Sequence, residues 1–177
     1  MTAPTTLPIL RRAGPTDAAA LSTFATRVFV ETFGPHNRAE DIAQYVTSTY
    51  GPSRQAAEIA DPAIVTILAE QQGELAGFAQ VRLHVAPACV AGLAPVELWR
   101  FYVDTAWRGQ GLAQRLMDAV HAAASELGGR TLWLAVWERN PRAIAFYKKV
   151  GFRTAGAQVF VLGSDRQTDD VMVTEVR

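Results

Sequence analysis

Arg108-Gly109-Gln110-Gly111-Leu112-Ala113 lies between an apolar stretch, Val96 to Val103, and a run in which Leu112, Leu116, Val120, Ala123 and Leu127 recur at helical spacing. A strand, a short glycine loop and a helix in that order offer backbone N–H groups to an anion. The first N–H groups of a helix have no intrahelical partner, and the helix dipole favours negative charge at that end. Arg108 adds a cation beside them. The stretch therefore reads as a phosphate cradle, or as a tight turn that binds nothing.

Downstream, Gly128-Gly129 ends the helix. Thr131 to Trp137 is a nearly continuous apolar strand, as expected in the middle of a sheet. Asn140-Pro141 opens a second helix, with Asn as N-cap and Pro at the first helical position, and Gly151 closes it. Phe152 to Leu162 and Val171 to Val176 read as a closing hairpin around Gly163 to Asp170. Upstream, Ile64 to Ala69 and Phe78 to Val85 flank the turn Gln72-Gly73-Glu74. In the return strand Val81, Leu83 and Val85 alternate with polar residues. Further upstream, a helix starts at Thr16 or Asp17 and places Leu21, Phe24 and Val28 on one face until Gly34-Pro35. Others are expected from Asn37 to Tyr50 and from Ser53 to Ala60, and Leu7 to Arg12 holds a first short strand. Met1 to Pro8 reads as a mobile leader. The pattern is a mixed α/β fold in a single domain over 1–177: early helices, an antiparallel meander, then a β-α-β-α-β-β half.

Composition narrows the function classes. The chain has 177 residues, 49% hydrophobic and 19% charged, which is enough apolar material for one core. Lys plus Arg and Asp plus Glu are 17 each, so no global basic field favours nucleic acid. Cys89 is the single cysteine, so no intrachain disulfide can form. No apolar run approaches the about 20 residues needed to span a bilayer. A cytoplasmic protein without membrane partners is expected. His36, His84 and His121 do not cluster with Cys89, so no metal site is expected.

Among phosphate-binding motifs, a P-loop would end in Gly-Lys-Ser/Thr, whereas this loop ends Gly111-Leu112-Ala113. A dinucleotide fingerprint would need a third glycine where Gln114 stands, and glycines directly after the strand. Glu138 could imitate its ribose-binding acid, which keeps a nicotinamide reading open. Arg108-x-x-Gly111-x-Ala113 instead resembles the Arg/Gln-x-x-Gly-x-Gly/Ala signature of the GCN5-related N-acetyltransferase (GNAT) superfamily. Asn140-Pro141-Arg142-Ala143-Ile144-Ala145-Phe146-Tyr147-Lys148-Lys149-Val150-Gly151-Phe152 resembles that superfamily's Asn-x-x-Ala-x-x-Phe/Leu-Tyr-x-x-x-Gly-Phe segment. The two lie in the required order, and the resemblance covers about Ile64 to Val176.

The resemblance implies a GNAT-type fold, with a mostly antiparallel central sheet flanked by helices. It also implies acetyl-CoA as cosubstrate, with no metal. It places the pyrophosphate on Arg108, Gly109, Gln110, Gly111, Leu112 and Ala113, and the pantetheine arm along the backbone of Phe101, Tyr102 and Val103. Asn140 and Ala143 would border that arm. Tyr147, one helix face from Asn140 and Ala143, would be the general acid for the leaving thiolate. On spacing alone these residues also fit plain roles, Asn140 as a helix cap and Tyr147 as a core aromatic.

An amine acceptor must lose a proton before it attacks a thioester, and Glu97 is the only carboxylate within its strand. Six residues before Val103, it is expected on the same strand face, as a base or paired with Arg82 or Arg100. Many relatives use a water chain instead. Glu31 and Phe33, after the first helix, would border the acceptor pocket; Glu31 also fits a solvated helix-end charge. The surrounding sequence is similar to the start of polyamine N-acetyltransferases. The expected activity is acetyl transfer to a primary amine of a small molecule, polyamine-like first. A protein N-terminal or lysine acetyltransferase, or a non-catalytic acyl-CoA sensor, are the alternatives. The closing hairpin offers an edge for a homodimer.

Overall fold

The computed structural model describes residues 7–177. Most of the expected leader, Met1 to Thr6, lies outside the described residues. The elements are β1 (Ile9–Arg12), α1 (Ala18–Phe33), α2 (Ala39–Tyr50), α3 (Pro52–Ala60), β2 (Ile64–Gln71), β3 (Glu74–Arg82), β4 (Pro95–Val103), α4 (Leu112–Glu126), β5 (Thr131–Trp137), α5 (Pro141–Lys149), β6 (Arg153–Leu162) and β7 (Asp165–Glu175). All seven strands form one sheet in the order β1-β2-β3-β4-β5-β7-β6. Every neighbouring pair is antiparallel except β4 and β5. The mixed α/β sheet flanked by helices agrees with the sequence pattern.

The two faces of the sheet carry separate cores. On one, Leu116, Met117 and Val120 of α4 pack with Ile67, Val81, Leu98, Leu132 and Leu134, joined by Tyr147 of α5 and by Val150 just after it. On the other, Leu21, Phe24 and Val28 of α1 and Ile42 of α2 cover Leu68 and Phe78. Alternation along β2 and β3 sends neighbouring residues to opposite cores. Each large apolar side chain buried this way contributes about 1.5–3 kcal/mol.

Three local features differ from the sequence expectation. The return strand β3 begins at Glu74, directly after a tight turn in which Gln72 and Gly73 have φ of 52° and 83°, and it ends at Arg82. Leu83 and Val85, which alternate as in a strand, are exposed in the following loop. That loop instead lays Ala86, Cys89 and Val90 over Trp133, Val171 and Val173. The closing hairpin turns within two residues, so β7 starts at Asp165 rather than Val171. In β4, Gln80 pairs with Arg100 and Val81 with Leu98, leaving Trp99 as a β-bulge. One extra residue reverses the facing of everything on one side of it. Leu98 therefore enters the α4 core while Arg100 points under α3.

The acceptor-side helices are fastened by contacts both near and distant in sequence. Asp17 accepts a hydrogen bond from the Gly14 N–H at 2.7 Å and pairs with Arg11 at 2.8 Å. It therefore holds the turn that enters α1 rather than capping α1 forward. Asp41 of α2 accepts from the Ser164 N–H at 3.2 Å, at the tip of the β6–β7 hairpin. At Gly163 any Cβ would run into the Asp41 carboxylate. Strand β6 is a sheet edge, with Val159 and Val161 exposed. No helix among the described residues is long and apolar enough to cross a membrane.

Candidate active site

The central cleft arises from the one parallel pair. Strands β4 and β5 are in register only over Pro95–Thr131, Val96–Leu132 and Glu97–Trp133. Beyond that they separate. Leu98 to Val103 on one side and Ala135 to Trp137 on the other line a cavity of about 590 Å³. The outer edge of β4 stays paired to β3 as far as Val103. Its inner edge from Leu98 onward has no strand partner, so its backbone groups face the cleft. An extended ligand carrying amides can pair there as a short strand would. Phe101, Tyr102 and Val103 all line the cavity.

The glycine loop closes one end. Asp104 caps the turn Thr105–Trp107 by accepting from the Ala106 N–H at 2.9 Å, and it pairs with Arg27 of α1 at 2.5 Å. Gly109 and Gly111 have φ of 74° and 83°, a region costly for any residue with a Cβ. Gly111 is the N-cap of α4 and supplies no side chain to the free N–H groups behind it. Those donors remain for a ligand. Arg108, Gly109, Gly111 and Ala113 line the cavity. Gln110 and Leu112 do not. The Gln110 amide donates back to the Ala106 carbonyl at 2.7 Å, and Leu112 is fully buried against Ala69 and Ala76. Their part in holding a ligand is limited to backbone N–H groups.

Arg142, in the first turn of α5, lines the cavity opposite this loop. Neither Arg108 nor Arg142 has an ion pair among the described residues. Burial, then the charge of Arg142, lowers the pKa of Arg108. Two cations without ion pairs on the same lining as an open helix N-terminus suit a dianionic group. Gln114, one turn into α4, lines the same space. The roles of Arg142 and Gln114 were not assigned from sequence. Both stand in first turns facing the loop, and that position was the available signal.

Helix α5 is built in the opposite way. Asn140 accepts from the Ala143 N–H at 3.2 Å, so this helix start is closed by its own side chain. With its oxygen used in the cap, the Asn140 amide N–H₂ is the part left to face the cleft, which Asn140 and Ala143 both line. Tyr147 lines the cavity one turn deeper. It is buried, with ring contacts to Phe101 at 6.2 Å, Phe146 at 5.6 Å and Phe152 at 5.6 Å. Burial pushes its pKa up, so the hydroxyl stays protonated and can donate.

On the acceptor side, Glu31, Thr32 and Phe33 at the end of α1 line the cavity, and the Phe33 ring lies 5.8 Å from Trp137. Glu31 is half-exposed and pairs with Arg27 at 3.1 Å. Glu97 is not at the cleft. It is buried at the closed end of the β4–β5 fork and bonded to the Arg82 Nε at 2.5 Å. The Trp99 bulge separates its face from that of Val103, so the expected alternation fails there. Arg82 and Arg100 both stack over the ring of the bulged Trp99, at 3.7 and 3.6 Å. Arg100 is further held by Glu58 and Gln80, both at 2.5 Å. Glu138, the residue a dinucleotide would need, does not line the cavity.

Residues 26–152 match the model of the Acetyltransferase (GNAT) family. The chain belongs to the GNAT family. It is 33% identical over 162 residues to an uncharacterized N-acetyltransferase of Mycobacterium tuberculosis, covering 91% of this chain and 99% of that protein. It is 34% identical over 143 residues to an uncharacterized N-acetyltransferase of Lactobacillus delbrueckii subsp. lactis, covering 80% of this chain and 82% of that one. Its fold is similar to the PaiA N-acetyltransferase of Thermoplasma acidophilum, solved in complex with coenzyme A. The TM-score is 0.79 at 19% identity, covering 97% and 99% of the two chains. The protein is thus an N-acetyltransferase of the GNAT family, and the cleft between β4 and β5 is its candidate active site.

Proposed function

We propose that this GNAT protein transfers the acetyl group of acetyl-CoA directly to the primary amine of a small molecule. The observation that carries the reading is the fork between β4 and β5, with an uncapped, glycine-lined helix start at its mouth and a buried tyrosine hydroxyl in its wall. The N–H groups of Gly109 to Ala113, with Arg108 and Arg142, would hold the diphosphate. The free β4 edge would pair with the pantetheine amides, and backbone N–H groups there would polarise the thioester carbonyl.

As the C–S bond breaks, the Tyr147 hydroxyl donates to the departing sulfur. Its raised pKa makes this first a hydrogen bond. Transfer follows because the same apolar surroundings disfavour a free thiolate and raise the thiol pKa as well. General acid assistance of this kind contributes about 10²–10⁴-fold. Phe33 and Trp137 line the acceptor end, and an apolar lining with few polar groups is what small-molecule sites present. Glu31 shares its charge with Arg27, which supports one amine as the recognised group more than a long polycation.

The test is free-thiol release from acetyl-CoA across a panel: spermidine, tyramine, kanamycin and an alanine-terminated peptide. A small amine is expected to give the highest kcat/KM. Coenzyme A binding without thiol release on any amine would replace the enzyme reading with a sensor. Preference for the peptide would move the acceptor to protein termini.

A further inference from the structure

With Glu97 bonded to Arg82, the reaction needs another group to take the ammonium proton. Asp169 of β7 is a carboxylate in the right part of the fold. It stands directly opposite Trp137 in the β5–β7 register, and opposite residues of an antiparallel pair share a face. Trp137 lines the cleft and touches Phe33 and His36 at 5.8 and 5.7 Å, so that shared face is the acceptor face, with Asp169 behind Trp137 rather than in the cavity wall itself. Asp169 is only 8% exposed. Among the described residues it has neither an ion pair nor a side-chain hydrogen bond, whereas Glu58, Glu97 and Asp41, equally buried, all have partners. Its oxygens are not among the fully enclosed polar atoms that lack a partner, so they keep contact with water, and a largely buried carboxylate without an ion pair is a group that function can use.

The groups around it do not neutralise it. Asp170 on the same strand and Glu138 after β5 add negative charge, and together with burial they raise its pKa to about 6. Tyr45 of α2 faces it as a neutral phenol, itself raised by burial, and stacks on Phe29 at 4.6 Å and against Phe160 at 5.7 Å. His36 reaches only the Trp137 ring. Arg100 of β4 is already bonded to Glu58 and Gln80. The result is an unpaired carboxylate behind the aromatic rings of the acceptor end, whose charge draws an ammonium and its proton.

Resting on the acetyl-transfer reading above, we propose that Asp169, behind Trp137, takes the proton from the acceptor ammonium at that end of the cleft across water. The ammonium gives one proton to the carboxylate and becomes a neutral amine. Its lone pair forms the C–N bond as the C–S bond breaks. A second proton leaves the nitrogen and replaces the one Tyr147 supplies to sulfur, and Asp169 releases its proton to water. One proton is released overall for each acetyl group transferred.

The experiment compares wild type, Asp169→Asn and Asp169→Glu. It measures thiol release against pH with the same four amines, coenzyme A affinity, and calorimetric binding of those amines to the coenzyme A complex. In wild type, kcat/KM is expected to rise with an apparent pKa near 6. Asp169→Asn is expected to lower kcat about 100-fold or more and to remove that limb, with coenzyme A affinity unchanged. Asp169→Glu is expected to restore part of the rate. Retention of kcat within threefold, with the acidic limb intact, overturns the proposal. If wild type releases no thiol with any of the amines, the acetyl-transfer reading fails on its own. Asp169 is then judged by amine binding: loss confined to Asp169→Asn supports it, and equal or absent binding in both proteins overturns it.

Discussion

The two halves of the cleft are made of different materials. The donor half, β4–α4 and β5–α5, is largely backbone: two left-handed glycines, one uncapped helix start, one capped helix start and a free strand edge. The acceptor half is made of side chains brought together over long sequence distances, such as Glu58 with Arg100, Asp41 with Ser164, Asn37 with Gln167 and Trp137 opposite Asp169. A backbone site depends on a few local φ angles and caps. A side-chain site depends on the register of several strands and on helix packing. The first suits a donor with invariant chemistry, and the second lets an acceptor site change residue by residue on the same frame.

Substitutions can break this contrast. The largest effect is expected for Glu58→Ala on the acceptor half. It leaves the Arg100 guanidinium buried and without its carboxylate, and breaking a buried pair costs about 3–5 kcal/mol. Thermal unfolding should show it, and an unchanged Tm would mean the network is dispensable. Tyr147→Phe comes next, expected to lower kcat about 100-fold with coenzyme A affinity within twofold. Equal turnover would remove the tyrosine from the chemistry. Gly111→Val forces a β-branched residue to a φ of 83° and puts a side chain in the diphosphate cradle. Coenzyme A affinity should fall at least about tenfold, in line with 1–3 kcal/mol for such strain; wild-type affinity would show that the loop is not the cradle.

Smaller effects sharpen the comparison. Asp17→Ala should cost about 1 kcal/mol of stability by releasing the Gly14 N–H and Arg11, with no effect on kcat. Arg11 holds the Asp17 carboxyl down at about 2. Its stabilisation is therefore complete above the ordinary carboxylate range and is lost as pH falls through 2. In the Asp17→Ala protein, the difference from wild type should vanish in acid unfolding curves over that window. Glu97→Gln should leave kcat unchanged within twofold, because Glu97 serves Arg82 and not the cleft; a large loss of turnover would return it to the acceptor site.

The same division explains what could be read in the sequence. Arg108 to Ala113 and Asn140 to Phe152 are contiguous, and each residue is constrained locally: glycine for positive φ, asparagine for the cap, tyrosine one helix face on from it. The succession of strands along the chain follows from apolar runs and turn residues. Glu97 was misplaced because facing was counted by twos across Trp99, and a bulge leaves no mark in hydrophobic alternation. Leu83 and Val85 alternate as a strand does, yet no neighbour strand reaches them. Asp169, in the polar stretch Thr168-Asp169-Asp170, looked like part of a hairpin turn. Only the strand pairing puts it opposite Trp137.

Amide hydrogen exchange with and without coenzyme A tests the division most directly. The account predicts that coenzyme A slows exchange in Gly109 to Gln114 and along Leu98 to Val103, and leaves the β6–β7 hairpin unchanged. Protection concentrated in the hairpin and α2, with the Gly109 to Gln114 amides unaffected, would contradict it.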